Sequence, residues 1–142
     1  MNQYLLLTMG FVSNLHRKIT MDAFSEEGIR RSQPWILDFL AEHDGAIQRE
    51  LADRAHFDPA TITSALVRME EEGMVRRESV PGDKRALRVY LTEKGREKQR
   101  YVQKVFAETE ETAMRGFTPE ERRQLGDFLA RIQKNFEKEV NE

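Results

Sequence analysis

Apolar residues recur every three or four positions along most of the chain, which predicts a mainly helical protein. The first stripe consists of Tyr4, Thr8, Phe11, Val12, Leu15 and Ile19. It predicts an amphipathic helix over about the first 20 residues, ending near residues 25–28. A second helix is predicted with Ser32 as its N-cap and Pro34 in its first turn, and Asp44–Gly45 ends it. Its predicted buried face holds Ile36, Phe39 and Leu40.

Two short helices joined by a tight turn are predicted next. QRELADRA, residues 48–55, forms the first of them, and residues 56–57 form the turn. Asp58 is the predicted N-cap of the second, with Pro59 at the first helical position, and Gly73 ends it. The predicted buried sides hold Ile47, Leu51, Ala55, Ile62, Leu66 and Met69. This order is typical of a helix-turn-helix motif, but it is also a common way to pack three helices.

A β-hairpin is predicted after the short helices. Between residues 87 and 91 the periodicity changes to two, with an apolar residue at every second position. Residues 74–80 are also compatible with a strand, and Pro81-Gly82-Asp83 between the two segments has the composition of a turn. The sequence therefore predicts one hairpin in an otherwise helical chain.

Two long helices are predicted towards the C-terminus. Thr92 caps the first, which runs to about residue 115, and Thr118 and Glu121 form a capping box that opens the second. The apolar stripe of the last helix holds Leu125, Phe128, Leu129, Ile132 and Phe136. Neither this helix nor the first helix of the chain can bury its apolar side alone, which predicts pairing of two identical chains.

The composition excludes several classes of site. The chain has no cysteine, so disulfides, thiolate metal sites and cysteine nucleophiles are excluded. His16, His43 and His56 are scattered over three predicted elements, so we predict no metal site and no cofactor. No nucleophile–base pair, glycine-rich phosphate loop or paired carboxylates stand out, which argues against an enzyme. The apolar stretch at residues 4–12 is far shorter than the ~20 residues of a membrane helix, and we expect a cytoplasmic protein without a membrane partner.

Positive charge is concentrated in the predicted hairpin. The whole chain has 23 Lys and Arg against 25 Asp and Glu, a net charge of -2, whereas basic residues are in excess over residues 76–88. Those basic residues are Arg76, Arg77, Lys84, Arg85 and Arg88. We predict that the loop presents Arg85 to the minor groove of DNA, while Asp83 orders the loop by accepting backbone N–H bonds or by pairing with an arginine. The alternative is a solvated hairpin whose charges prevent aggregation.

The fourth predicted helix has a polar outer side. Its outward residues include Thr61, Thr63, Ser64 and Arg68. Hydroxyl and guanidinium groups can bond phosphate oxygens or base edges, so we predict that this helix enters the major groove of duplex DNA. Hydroxyls are also common at the start of capped helices, so any one of them is equally expected without DNA binding.

Residues 28–99 resemble the MarR family of bacterial transcription regulators. The resemblance lies in QRELADRA, DPATIT, RMEEEGMVRR, the Asp-x-Arg of GDKRA, and LTEKG, in this order and at the family's spacing. It implies a single MarR-like unit over residues 1–142, with a winged helix-turn-helix DNA-binding region at 29–92 and a helical dimerisation region formed by 1–24 and 93–142. The implied fold is mainly α with a small β-hairpin wing.

The same resemblance implies a function. It implies a triangular homodimer that binds a pseudo-palindromic operator in double-stranded DNA, and we expect a repressor. Asp83 matches the residue that orders the wing, Arg85 matches the wing-tip arginine, and Thr61, Thr63 and Ser64 match the recognition helix. Many members of the family have a basic residue where Ser64 stands, so base readout there is expected to be altered or weaker.

The resemblance also implies regulation by a small molecule. Family members often release DNA when an aromatic or phenolic effector binds between the dimer helices and the winged domain. Phe11, His16, Trp35 and Phe39 could line such a crevice, although their spacing fits a packed core equally well. Two other functions stay open on the residues alone. One is a winged-helix protein-interaction module without DNA binding, and the other is a small helical enzyme with a cluster of perturbed titratable groups.

Overall fold

The computed structural model describes residues 3–55 and 57–141, and its fold is mainly helical with one small sheet. In chain order the elements are α1 (Leu5–Glu26), α2 (Gln33–Glu42), β1 (Ala46–Ile47), α3 (Gln48–Ala55), α4 (Pro59–Glu71), β2 (Val75–Val80), β3 (Asp83–Leu91), α5 (Glu93–Ala113) and α6 (Pro119–Val140). The predicted fold class, mainly α with a β-hairpin wing, is confirmed. His56, which was predicted to lie in a turn, falls outside the described residues.

The chain divides into two compact units at Thr109–Glu110. The core of the first unit is built from α2, α3, α4 and the sheet, together with Phe24 of α1 and Val102 of α5. Its fully buried side chains include Ile36, Leu37, Leu40, Leu51, Ile62, Leu66, Met69 and Val89. The faces that pack together are therefore those that the apolar periodicity of the short helices indicates.

The start of α2 differs from the predicted one. Ser32 precedes the helix, but its side chain makes no capping hydrogen bond and its backbone is already helical, with φ -94° and ψ -11°. Instead, Oε1 of the buried Gln33 accepts a hydrogen bond from the backbone N–H of Arg30 at 2.9 Å. The serine-cap prediction is wrong because this amide side chain holds the turn. Phe39, predicted to be buried, is half-buried and stacks on Trp35 with 4.9 Å between ring centroids.

The predicted helix-turn-helix corresponds to α3 and α4. Asp58 caps α4 as predicted, since its Oδ1 accepts a hydrogen bond from the Thr61 N–H at 2.9 Å. Gly73 follows the helix with a φ of 79°, a conformation that glycine adopts without steric strain. The two-residue strand β1, in which Ala46 pairs with Val89 of β3, was not predicted. A strand this short has no periodicity that a sequence pattern could reveal.

Strands β2 and β3 form the predicted hairpin, and β3 is the central strand of the sheet. Val80 pairs with Asp83, so the connecting loop consists of Pro81 and Gly82, one residue shorter than predicted. Gly82 has a φ of 83° and follows a proline, as a type II turn requires. This tight turn fixes the direction in which residues 83–85 leave the loop.

Both long C-terminal helices begin at the predicted caps. Thr92 Oγ1 accepts a hydrogen bond from the Gly95 N–H at 3.0 Å at the start of α5. In the second unit, Thr118 and Glu121 form the capping box, with reciprocal hydrogen bonds of 2.9 and 3.1 Å. The bonds from Thr118 hold the pKa of the Glu121 carboxyl below its usual value. Local spacing alone was sufficient to locate these two helix starts.

Helices α1 and α6 leave their apolar stripes exposed in the single chain. On α1, Phe11 is 58% exposed and Leu15 is 60% exposed, whereas Phe24 near the end of the helix is buried. On α6, Phe128 is 53% exposed and Phe136 is 52% exposed. Among the helices of the described residues, none is apolar over enough of its length to cross a bilayer. Each stripe therefore presents a hydrophobic surface that this chain does not cover.

Candidate nucleic-acid interface

The loop end of the hairpin, residues 81–85, is called the wing tip here. Asp83 Oδ1 accepts a hydrogen bond from the backbone N–H of Arg85 at 3.0 Å, as the predicted Asx-type turn requires. Asp83, Lys84 and Arg85 are all exposed. Over the described part of the chain, no hydrogen bond or ion pair engages the Arg85 guanidinium. The carboxylate thus orders the backbone, while the arginine side chain stays free to contact a ligand.

The base of the wing is more engaged than its tip. Arg76 forms an ion pair with Glu78, and its guanidinium carbon lies 4.4 Å from the centroid of the Tyr90 ring. Arg88 donates a hydrogen bond to the carbonyl of Gly45 at 3.1 Å. Both arginines remain exposed. They keep their charge at the surface, while neighbouring groups set the direction of each side chain.

Arg77 does not occupy the surface position that was predicted. Its side chain is only 17% exposed, its Nη2 lies 3.0 Å from Glu70 Oε1, and its Nη1 donates to Gln48 Oε1 at 3.2 Å. Its backbone N–H donates to Glu70 Oε2 at 3.1 Å. These bonds, called the Arg77 link here, join β2 to α3 and α4. The hydrogen bond and charge of Arg77 lower the pKa of the Glu70 carboxyl. A phosphate contact does not fit Arg77, because its donors are already directed at two neighbouring helices.

The first turns of α4 use their hydroxyl protons internally. Thr61 Oγ1 donates to Asp58 Oδ2 at 2.7 Å, and the hydrogen bonds from Thr61 hold the pKa of the Asp58 carboxyl below its usual value. Thr63 Oγ1 donates to the carbonyl of Pro59 at 2.9 Å and accepts a 3.4 Å hydrogen bond from Gln48. Thr61 is half-buried, and Thr63 is exposed. Both oxygens can still accept a hydrogen bond, but neither hydroxyl is free to donate one.

Ser64 and Arg68 complete the set of α4 residues predicted to contact DNA. Both are exposed, and over the described residues the Ser64 hydroxyl makes no hydrogen bond, so it can donate as well as accept. Arg68 Nε lies 3.2 Å from Glu72 Oε1, and 52% of the Arg68 side chain is exposed. These two residues are the most available polar groups of the helix.

The wing tip and α4 border the same open cavity, called the wing-side cavity here. Its volume is about 480 Å³. The polar part of its lining includes Gln48 and Arg49 of α3, Thr63 of α4, and Asp83 and Arg85 of the wing. The structure thus brings Thr63 and Arg85, which were predicted separately, to one surface. Arg49 was not singled out from the sequence, because its position beside the wing depends on tertiary packing.

A second open cavity, called the loop-side cavity here, lies between the turn that precedes α2 and the outer side of α4. Its volume is about 420 Å³. It is lined by Arg30, Arg31, Ser32, Gln33, Ala60, Thr61, Ser64, Ala65 and Arg68. At 100° per residue, these α4 residues lie opposite the α4 residues of the wing-side cavity. Arg30 and Arg31 were not predicted as site residues, because no local sequence pattern connects them to α4.

The four residues predicted to line an effector pocket fall into two groups. Trp35 and Phe39 stack on each other along α2. His16 stacks on Phe106 of α5 with 6.2 Å between ring centroids, and Phe11 is exposed on α1. Contacts among the described residues of a single chain do not join the two groups into one pocket. Trp35 with Phe39 and His16 with Phe106 therefore form two separate ring contacts.

Comparison with known proteins identifies the family. A family model described as MarR family matches residues 27–86. YybA of Bacillus subtilis, an uncharacterized HTH-type transcriptional regulator, is 26% identical over 135 residues, which cover 95% of this chain and 90% of YybA. The crystal structure of the transcriptional regulator SlyA has a TM-score of 0.89 and 28% sequence identity, and the match covers 95% of each chain. The chain belongs to the MarR family.

Another MarR-like structure shares the fold. It is the crystal structure of a protein from Listeria monocytogenes assigned to the MarR family, complexed with a 26mer DNA. Its TM-score is 0.87 at 24% identity, and the match covers 95% of this chain and 89% of that chain. The family and its relatives are transcription regulators, and this MarR-family chain is accordingly not an enzyme. In the part of the chain that the structure describes, no three His, Asp or Glu side chains lie close enough to hold a metal ion.

Proposed function

We propose that this MarR-family protein binds a pseudo-palindromic operator in double-stranded DNA as a homodimer and represses transcription. The observation that carries the proposal is the shared lining of the wing-side cavity, where the free Arg85 and the exposed Thr63 border one surface. A helix of a size that fits the major groove thus stands beside an ordered basic loop that can reach the adjacent minor groove. A MarR-like protein of the same fold has been crystallised with a 26mer DNA, which supports DNA binding.

The proposed organisation assigns one role to each region of the chain. Residues 1–142 act as a single MarR-like unit, in which residues 29–92 bind DNA and residues 1–24 and 93–142 hold the dimer. Because the target is a chromosomal operator, we propose the cytoplasm as its location. No membrane partner and no cofactor enter the proposal.

The wing supplies charge and shape recognition in this proposal. Arg85 enters the minor groove, where the negative potential is enhanced, and Asp83 keeps the loop in the required conformation. Lys84, Arg76 and Arg88 contact phosphates, because their charges remain at the surface. We leave Arg77 out of the phosphate contacts, since its guanidinium is directed at Glu70 and Gln48.

Helix α4 is the proposed recognition helix. Ser64 and Arg68 supply hydrogen-bond donors to base edges or phosphates, because their polar groups are the least engaged on the helix. Thr61 and Thr63 act as acceptors only, since each hydroxyl proton is used within the protein. Base readout by the helix is therefore modest, and the wing contributes most of the affinity.

A second copy of the chain is the proposed occupant of the exposed apolar stripes. Covering Phe11 and Leu15 of α1 and Phe128 and Phe136 of α6 would remove large apolar side chains from water. A two-fold axis then relates two winged regions, which matches a pseudo-palindromic operator with half-sites ~34 to 36 Å apart.

A small aromatic or phenolic effector is the proposed regulator. The Trp35–Phe39 stack is half-buried, and it offers a flat apolar surface to such a ring, with His16 and Phe11 on α1 as further candidate contacts. Trp35 is the only tryptophan, so its fluorescence reports on this site. We expect salicylate, used as a probe and corrected for absorption, to quench the emission and to weaken operator binding. An unchanged emission together with unchanged DNA affinity would contradict the effector role.

Selection from a random duplex library tests DNA binding and the operator geometry together. We expect recovery of an inverted repeat whose half-sites are one helical turn apart, followed by tight binding of that duplex in fluorescence anisotropy. The alternative, a winged-helix protein-interaction module, predicts no affinity for any duplex even at low salt, where electrostatic binding is strongest.

The dimer is tested by adding one negative charge to α6. Phe128→Glu should convert the dimer to a monomer in sedimentation velocity, because a carboxylate would be buried in an apolar interface. Ala130→Glu on the same helix adds the same charge more than a quarter turn away from every residue of the stripe, so it serves as the control and should remain dimeric. A dimeric Phe128→Glu variant would show that the interface lies elsewhere.

A further inference from the structure

The loop-side cavity contains an excess of positive charge. Arg30 and Arg31, which line it, have no role in the proposed wing and helix contacts. Three arginines line it, Arg30 and Arg31 from the turn before α2 and Arg68 from α4. The only carboxylate paired with them among the described residues is Glu72, whose Oε1 lies 3.2 Å from Arg68 Nε and 4.0 Å from Arg30 Nε. One negative charge against three positive charges leaves the cavity cationic.

The guanidinium groups in this cavity are able to bind an anion. Glu72 Oε1 is buried but receives no hydrogen bond from the described residues, so its contacts with Arg68 and Arg30 are electrostatic only. Arg30 and Arg68 keep 60% and 52% of their side chains exposed. Within the described residues, Arg31 is exposed and its guanidinium has no hydrogen bond or ion pair. The N–H donors of all three arginines thus remain available.

The turn that carries Arg30 and Arg31 is held firmly in place. The Gln33 side chain, only 1% exposed, bonds the backbone N–H of Arg30 at 2.9 Å, and the Gln33 N–H donates to the Arg30 carbonyl at 2.9 Å. Ile29, immediately before them, is 1% exposed and belongs to the core. Because a buried residue lies on either side of the two arginines, the backbone of this turn loses little conformational freedom when an anion binds.

The two cavities place arginines on opposite sides of α4, although Asp53 and Asp83 also line the wing-side cavity. Arg85 and Arg49 line the wing-side cavity, and Arg30, Arg31 and Arg68 line the loop-side cavity. A helix that lies in the major groove is likewise flanked by two phosphate backbones, one on each edge of a groove about 12 Å wide. The arginines on the two sides of α4 are therefore placed as the phosphates are placed on the two edges of the groove.

We infer that Arg30, Arg31 and Arg68 bind a backbone phosphate of the operator, on the strand that lies across the major groove from the wing. The inference rests on the proposed function, and it adds Arg30 and Arg31, which lie outside the wing and α4, and assigns Arg68 to a phosphate. Arg–phosphate hydrogen bonds are charge-assisted and can be bidentate, so this site fixes how far α4 enters the groove.

The salt dependence of binding tests the inference in the full-length protein. We expect Arg30→Gln/Arg31→Gln to bind the library-selected duplex about tenfold or more weakly near physiological salt. The slope of log affinity against log salt should fall by about 0.9 for each phosphate that the variant no longer neutralises, with base preference unchanged. Arg100→Gln is the matched control, since Arg100 is exposed on α5 and does not line the loop-side cavity. It should change the slope little.

A modified duplex distinguishes direct phosphate binding from a general loss of charge. Methylphosphonate substitutions, introduced one at a time, remove the charge of single phosphates. One of them should weaken wild-type binding strongly and the double variant much less, since the variant keeps only Arg68 at that phosphate. Salt slopes and methylphosphonate effects equal to those of Arg100→Gln would overturn the inference while wild-type binding, and hence the proposed function, stands. A wild-type protein that binds no duplex would overturn both.

Discussion

The wing tip and helix α4, the proposed recognition helix, border the same cavity, but they differ in how many of their polar groups already form hydrogen bonds within the protein. At the wing tip, Asp83 bonds the backbone of Arg85 and leaves its guanidinium free. On α4, the Thr61 and Thr63 hydroxyls donate to Asp58 and to a backbone carbonyl. Order at the wing is achieved through the backbone, whereas order at the start of the helix consumes side-chain donors.

This difference indicates how affinity and sequence preference are divided. A free arginine in a narrow groove contributes charge and senses groove width, whereas direct base readout depends on donors and acceptors that point at base edges. Because the hydroxyl protons of Thr61 and Thr63 are engaged, we expect groove shape to contribute more to operator choice than hydrogen bonds to bases. Substitutions test how affinity and sequence preference are divided between the wing and α4. The first one lies beside the segment that connects α4 to the wing.

Gly95→Ala should have the largest effect. A Cβ at Gly95 would overlap the carbonyl oxygen of Met74, which lies in the segment that connects α4 to β2. Backbone must move to relieve this clash, so we expect a loss of about 3 kcal/mol or more in the free energy of unfolding. Urea unfolding measures it.

The control for that variant is Gly126→Ala in α6, where an added Cβ meets nothing within 4 Å. It should stabilise the protein by about 0.5–1 kcal/mol, because alanine is the better helix former. Equal stabilities of the two variants would show that the contact between Gly95 and Met74 is not tight.

Arg85→Ala should weaken operator binding by about 1–3 kcal/mol and leave the dimer intact. Thr63→Val, which removes a hydroxyl whose proton is already used, should cost less than about 1 kcal/mol. Anisotropy titrations on the same duplex measure both changes, and sedimentation checks the oligomeric state. If Thr63→Val cost as much as Arg85→Ala, the proposed dominance of the wing would be wrong.

Glu70→Gln tests the Arg77 link through pH. Because Arg77 lowers the pKa of Glu70 from 4.5, the ionised pair stabilises the fold above that pH, and the contribution is lost as pH falls through the folded-state pKa. We expect the variant to lose about 1 kcal/mol at neutral pH, a modest value because the Glu70 side chain is 41% exposed. The difference from wild type should shrink in acid. Glu71→Gln, an exposed neighbour, should show no such trend.

Ser64→Ala should have the smallest effect. Its free hydroxyl is the least constrained donor on α4, and one hydrogen bond to a neutral partner contributes about 0.5–1.5 kcal/mol at most. We expect a change in operator affinity below about 1 kcal/mol, with a slightly relaxed base preference in a repeat of the library selection. A large change in the recovered motif would show that the helix reads bases more strongly than the engaged threonines suggest.

Features that depend on residues close in sequence could be predicted. Asp58 and Thr118 act as caps through contacts three positions away, and Asp83 orders Arg85 through a contact two positions away. Apolar periodicity likewise identified the buried faces of the short helices. The Ser32 cap failed although it is local, because Gln33 competes for the same turn.

Features that depend on tertiary packing could not be predicted. Arg77 was assigned to the surface because its partner Gln48 is 29 positions away in the chain. Arg30 and Arg31 were overlooked, since only the folded chain brings their turn beside α4. The local excess of basic residues in the sequence therefore locates the wing. It does not distinguish arginines that are free to bind DNA from arginines that form ion pairs within the protein.

The Arg77 link has a mechanical consequence. Because one guanidinium joins the sheet to both helices of the motif, we expect the wing and α4 to move as one rigid element. A small-molecule inducer is therefore not expected to lower DNA affinity by displacing the wing or α4 alone. We expect it to change the distance between the two winged regions of the proposed dimer, so that both can no longer bind one face of the duplex at once.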